Sequence, residues 1–142
     1  MESYLFKILL GGCVGHKRTE IMNRFTTGQS HSDTRVIIGV DFAAHRVDLP
    51  ENNASASLQI LDFGEEKRFR TLFPCFCTGA AGAILFFDLM KPGTLYELEE
   101  WIQLIRSSTP EIPIMLCGTN YHLLGNPDEL GIMMWDSPPI FF

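Results

Sequence analysis

The chain has 142 residues, enough for one domain with a sizeable core and too few for two. Its apolar share of 46% and charged share of 20% are those of a folded globular protein. A net charge of −6 and a pI near 5.1 offer no basic face for a phosphate backbone, which argues against nucleic acid as the main partner.

Residues Tyr4 to Leu10 form a compact apolar run ending at Gly11-Gly12, which predicts a buried strand feeding a glycine-rich turn. The chain has no run of about 18 or more uncharged apolar residues, the length of a membrane span. Its start lacks the basic segment and small-residue cleavage site of a secretion signal. Thr19 to Phe25 reads as a helix with Ile21, Met22 and Phe25 on one face, and Gly28 to Thr34 as a polar loop. Val36 to Val47, rich in β-branched and aromatic residues, suits a strand. Pro50-Glu51-Asn52-Asn53 marks a turn, and Ser57 to Asp62 the returning strand of a hairpin. An irregular charged stretch, Gly64 to Arg70, precedes Leu72 to Cys77.

Ala80 to Asp88 is nearly all apolar, as a central strand covered on both faces would be. Pro92 to Ser108 is the clearest helix, with Pro92 near its start, Glu97, Glu99 and Glu100 toward the N-terminal end, and Arg106 near the C-terminal end. Leu95, Leu98, Ile102 and Ile105 form its apolar stripe, and Trp101 is expected in the core. Ile112 to Cys117 is another short buried strand, and Gly118 to Phe142 is loop-rich, with Pro127, Pro138 and Pro139. Strands alternating with helices predict an α/β domain with a mostly parallel sheet, in which ligands bind outside the carboxyl ends of the strands. Cys13, Cys75, Cys77 and Cys117 include one C-x-C pair with no second pair to complete a zinc site, and read as free buried thiols. His16, His31 and His45 have no ligand spacing.

Several of these segments resemble successive parts of a Rab-type small GTPase of the Ras-like superfamily. Lys7-Ile8-Leu9-Leu10, a glycine loop and Asn23-Arg24-Phe25 look like the family's first strand, phosphate loop and first helix. Ile38-Gly39-Val40-Asp41-Phe42 resembles the segment just after switch I. Leu58-Gln59-Ile60-Leu61-Asp62-Phe63-Gly64 with Arg68-Phe69-Arg70 resembles the third strand and switch II. Gly79 to Leu85 resembles the fourth strand, and Pro113 to Thr119 the fifth strand running into the base-recognition motif. The order and spacing of these matches are more specific than any one of them. The resemblance implies a P-loop NTPase-type G-domain: an α/β fold whose mostly parallel central sheet has one antiparallel strand and flanking helices. Residues 1–142 are expected to form one domain, with 1–124 matching the family and 125–142 a divergent tail.

The motifs of that family depart here at the positions that handle nucleotide. Glycines of a phosphate loop let backbone N–H groups reach the phosphates, its lysine neutralises their charge, and its hydroxyl holds Mg²⁺. The resemblance puts Gly12, Gly15, Lys17, Arg18 and Thr19 in that role. Counted without gaps, Lys17 stands at the second glycine and Arg18 at the lysine, while Gly12 and Thr19 are kept. A side chain at a close-approach glycine obstructs the backbone, and a guanidinium does not replace an ammonium without rearrangement. Ile37 stands where switch I offers a threonine, and an alkyl group cannot ligate a hard cation. Asp62 is kept, so Thr19 and Asp62 are the residues implied for Mg²⁺ if nucleotide binds. Glu65 replaces the glycine that contacts the γ-phosphate, and Glu66 stands at the water-orienting position, the only candidate for a catalytic role. Two carboxylates beside a triphosphate repel it.

The base-recognition motif survives as Thr119, Asn120 and His122. Asn120 replaces the lysine that covers the base and His122 the aspartate that reads guanine, and a neutral imidazole cannot mimic a bidentate carboxylate. Pro138-Pro139-Ile140-Phe141-Phe142 carries no helical pattern where the family closes with a long helix, so a sheet face with an exposed apolar patch is expected. No cysteine near the end suits prenylation, so no prenyl anchor is expected.

The resemblance implies GTP hydrolysis, with GTP or GDP and Mg²⁺ as cofactors. The departures lead instead to a pseudo-GTPase: a cytoplasmic protein-interaction module with weak or no GTP binding, which meets a protein partner through its switch-like surface or its uncovered sheet face. The alternative is a divergent GTP-binding regulatory protein with slow or assisted hydrolysis, held together by Arg18, Thr19 and Asp62. A third reading is a nucleotide-independent fold fragment whose sheet another chain covers.

Overall fold

Apolar residues on both sides of the first strand call for a core on each face of a sheet, and the described residues bury a large cluster on one face and a small one on the other. The structure, a computed structural model, describes residues 2–12, 21, 24–25, 35–37, 40–64, 71, 73–123 and 140–141. Strands β1 (Glu2–Gly12), β2 (Arg35–Ile37), β3 (Val40–Leu49), β4 (Ala54–Phe63), β5 (Ala80–Asp88), β6 (Ile114–Thr119) and β7 (Ile140–Phe141) form one sheet in the order β2-β3-β4-β1-β5-β6-β7. β3 runs antiparallel to both neighbours, and every other neighbouring pair is parallel. The expected architecture, a mostly parallel sheet with one antiparallel strand, is therefore present.

The hairpin β3–β4 turns through a short 3-10 segment, Pro50–Asn52, where proline presets the backbone at the start. Asn53 closes it in the left-handed region at φ 48°, a conformation that asparagine tolerates better than most residues. β4 starts earlier than its apolar residues suggest. Ala54, Ser55 and Ala56 are small and carry no strand signal, yet they pair with Glu2, Ser3 and Tyr4 of β1 and are buried.

Two helices, α1 (Phe73–Cys77) and α2 (Gly93–Ser108), cover one face of the sheet. Leu98, Trp101 and Ile105 of α2 meet Phe73 and Cys77 of α1 over Leu9, Leu61, Phe63, Leu85, Phe87 and Leu116. The predicted stripe is the buried one, with Leu95 and Ile102 at its flanks. Trp101 is in the core, its ring so close to β1 that a Cβ on Gly11 would lie 2.9 Å from it.

The opposite face has a smaller buried cluster, Leu10, Ile60 and Phe86, ringed by half-buried Ile8, Ala43, Leu58, Ile84 and Cys117. Strand alternation puts Phe6 and Met115 on this face too, and both are exposed. Residues 21 and 24–25 are helical, within the expected first helix. Ile21 and Phe25 of that predicted apolar face are exposed, and Phe25 packs on the His45 ring at 4.5 Å.

Three readings of the sequence need correction. The single strand expected over Val36 to Val47 is two, β2 and β3, which pair antiparallel. Ile140–Phe141 forms a strand beside β6 rather than loop, because two residues after a double proline are too few to show a period. Cys75 is exposed rather than buried, since on a five-residue helix the residue two positions from buried Cys77 points away from the sheet.

Candidate functional site

The carboxyl ends of β1, β4, β5 and β6 lie along one edge of the sheet. Register brings Gly12 beside Phe86, Leu10 beside Asp62, and Asp88 beside Thr119. Gly12, at the start of the predicted phosphate loop, has φ 119°, and a Cβ there would sit 2.1 Å from the Phe86 carbonyl oxygen. Only glycine fits, because the backbones of β1 and β5 converge at the strand end. Gly15, Lys17, Arg18, Thr19 and Glu66 lie outside the described residues. Ile37 is on β2, paired with Val40.

Asp62 is buried on β4, at 7% exposure, with Asp41 of β3 across the ladder. It is at the strand end where the resemblance implies a magnesium residue, and Thr19, the other residue implied, is among those not described. Among the described residues no group of three or more His, Cys, Asp or Glu side chains could hold a metal ion. A metal there would need phosphate and water oxygens as well as Asp62.

Thr119 and Asn120, two of the residues expected at the base-recognition motif, are tied into the fold. The Thr119 hydroxyl donates to the Phe87 carbonyl at 3.0 Å and is buried. Asn120 has φ 63°, and its Nδ2 donates to Asp88 Oδ1 at 2.9 Å. The same carboxylate oxygen accepts the Met90 N–H at 2.9 Å. Asp88 N–H donates to Thr94 Oγ1 at 2.8 Å, and that hydroxyl donates to the Lys91 carbonyl at 2.7 Å. Leu89 N–H donates to the Thr119 carbonyl at 3.0 Å, joining the turns after β5 and β6 through the backbone as well. His122 lies in the short 3-10 turn Tyr121–Leu123.

Sequence reading missed Asp88 and Thr94 as members of this site. The available signal was a carboxylate ending an otherwise apolar strand just before a Lys-Pro-Gly turn.

A groove of about 420 Å³ opens beside α1, away from this edge, lined by Lys7, Phe42, Ala44, Gln59, Leu61 and Phe76 among others. Lys7 Nζ donates to the Thr78 carbonyl at 2.9 Å, tying β1 to the turn that follows α1. Phe42 and Phe76 meet edge to face at 6.0 Å. Beneath them, burial pushes the Cys77 thiol up to about 11, against opposing influences of the Lys7 charge and a hydrogen bond with Ser108. Burial also raises Cys117. Neither is a ready nucleophile near neutral pH.

The family model for the Roc (Ras of Complex) domain of DAPkinase matches residues 7–122. Ras-related protein RABA1b of Arabidopsis thaliana is 31% identical over 132 residues, which is 90% of this chain and 60% of that protein. Ras-related protein Rab11D of Lotus japonicus is 29% identical over 143 residues, 98% of this chain and 65% of that protein. Ras-related protein Rab-11A of Dictyostelium discoideum is 32% identical over 121 residues, 84% of this chain and 56% of that protein. The chain thus spans less than two thirds of the length of each of these relatives.

Proposed function

The chain belongs to the Ras-like small GTPase superfamily, on its Rab-type branch, and from that premise we propose that it uses the fold as a protein-interaction module and binds GTP weakly or not at all. The family implies GTP or GDP with Mg²⁺, and Asp62 and Gly12 still occupy the strand ends where such a group would sit. The observation that carries the proposal is Asn120. At the position of the lysine that covers a base, it directs its amide to Asp88 instead. Lys17, Arg18, Glu65, Glu66 and His122 add to it from the sequence, since each replaces a group that contacts phosphate, water or guanine.

The groove beside α1 supports the interaction half of the reading. Its aromatic walls, with Lys7 and Gln59 at hand, suit an apolar side chain of a protein partner. Residues 1–142 act as one domain in this account, and its location is cytoplasmic. A divergent GTP-binding protein, with Arg18, Thr19 and Asp62 holding the phosphates and Mg²⁺, is the second reading, favoured by the burial of Asp62 at the strand end.

Thermal unfolding separates the two, because a ligand that prefers the native state raises the apparent midpoint by mass action. With millimolar GTP, GDP or ATP and Mg²⁺, no shift is expected. A shift of several degrees with GTP and GDP but not ATP would favour the second reading.

A further inference from the structure

In the family motif the residue at position 120 is a lysine whose stem lies over the base, so a bound nucleotide helps to hold the turn that follows β6. This chain has a different means of holding it. We infer that Asn120 and Asp88 form a clasp that orders the turn after β6 without any nucleotide. The inference deepens the reading of Asn120 given above, and its test uses no nucleotide, so the two fail separately.

The geometry of the clasp is complete. Asn120 turns the chain in the left-handed region, φ 63°, and directs it into Tyr121–Leu123, which closes with Leu123 N–H donating to the Asn120 carbonyl at 3.0 Å. Its side chain reaches back to Asp88 Oδ1, the oxygen that also fixes the Met90 N–H. Thr94 holds the Asp88 backbone from the start of α2. One carboxylate oxygen therefore joins two turns that are 32 residues apart in sequence. A charge-assisted bond at a half-buried position is stronger than one in open water, because less solvent competes for its partners.

Asparagine also suits a left-handed backbone for its own sake, and that explanation must be separated from the clasp. Glycine separates them, since it relieves the backbone and removes the side-chain bond. Hydrogen exchange at the Leu123 amide, measured on the whole chain without nucleotide, is the readout. Asn120→Gly should speed that exchange about tenfold, the effect of losing one such bond from a local opening equilibrium, and leave Leu116 inside β6 unchanged.

Asn120→Asp alone sets two carboxylates against each other and should also exchange fast. Combined with Asp88→Asn it re-forms the bond with donor and acceptor reversed, while the new amide oxygen at 88 still accepts the Met90 N–H, so slow exchange returns. Unchanged exchange in Asn120→Gly, or a double variant that exchanges as fast as Asn120→Asp, would overturn the clasp.

Discussion

Gly12 and Gly79 both have positive φ, 119° and 78°, but their surroundings differ. An added Cβ at Gly12 meets the Phe86 backbone at 2.1 Å, and at Gly79 it meets nothing within 4 Å. Gly79→Ala should therefore cost only the left-handed backbone penalty, about 1 kcal/mol. Gly12→Ala adds a clash with backbone that cannot swing aside, for a total of about 2–4 kcal/mol. Urea unfolding of the two variants measures the contrast, and equal losses would mean that the strand ends yield more easily than the geometry implies. The demand for glycine at position 12 thus comes from the meeting of β1 and β5 as well as from any phosphate. Its retention, by itself, says nothing of nucleotide. On the proposed reading the departures say more: those at 18, 66, 120 and 122 replace a side chain to which the family motif gives one chemical duty, and those at 17 and 65 put a side chain where the motif has a glycine.

Helix α1 is five residues long and gains little from its own hydrogen bonds, so packing must hold it. Phe73 and Cys77 supply that packing, and their burial has a consequence for pH. The Cys77 thiol is raised from 9.0 to about 11, first by burial, so the folded state favours its neutral form. The corresponding stability is fully present below pH 9 and is lost as pH rises from 9 toward about 11, where the unfolded chain ionises first. Stability followed by denaturant titration should fall across that window, and less so in Cys77→Ala, whatever that variant loses at pH 7. Identical slopes in the two proteins would remove Cys77 as the cause.

At the same scale, β1, β5 and α2 were legible in the sequence because long periodic or wholly apolar runs leave little choice of structure. The start of β4 and the whole of β7 were not. Ala54 to Ala56 are strand because β1 and β3 pair with them on either side, and Ile140–Phe141 because β6 lies beside it. The edge carrying Gly12, Asp62 and Thr119 was legible from motif order. The link from Asn120 to Asp88 was not, since it joins residues 32 apart through a side chain that the motif would direct at a base.

For the molecule as a whole, the two faces of the sheet are unequal. One is packed by α1 and α2 around Trp101, and the other has a smaller core around Phe86 with Phe6 and Met115 exposed at its margin. The carboxyl edge where the superfamily handles nucleotide is separate from the groove beside α1, so the partner binding proposed for that groove need not depend on nucleotide. The fold is that of a small GTPase, and the chemistry has to be judged from the site rather than from ancestry. Protein purified without added nucleotide, denatured and its released small molecules resolved by anion exchange, gives the guanine nucleotide carried per chain. Far less than one GTP or GDP per chain is expected, and a stoichiometric amount of either would contradict weak or absent nucleotide binding.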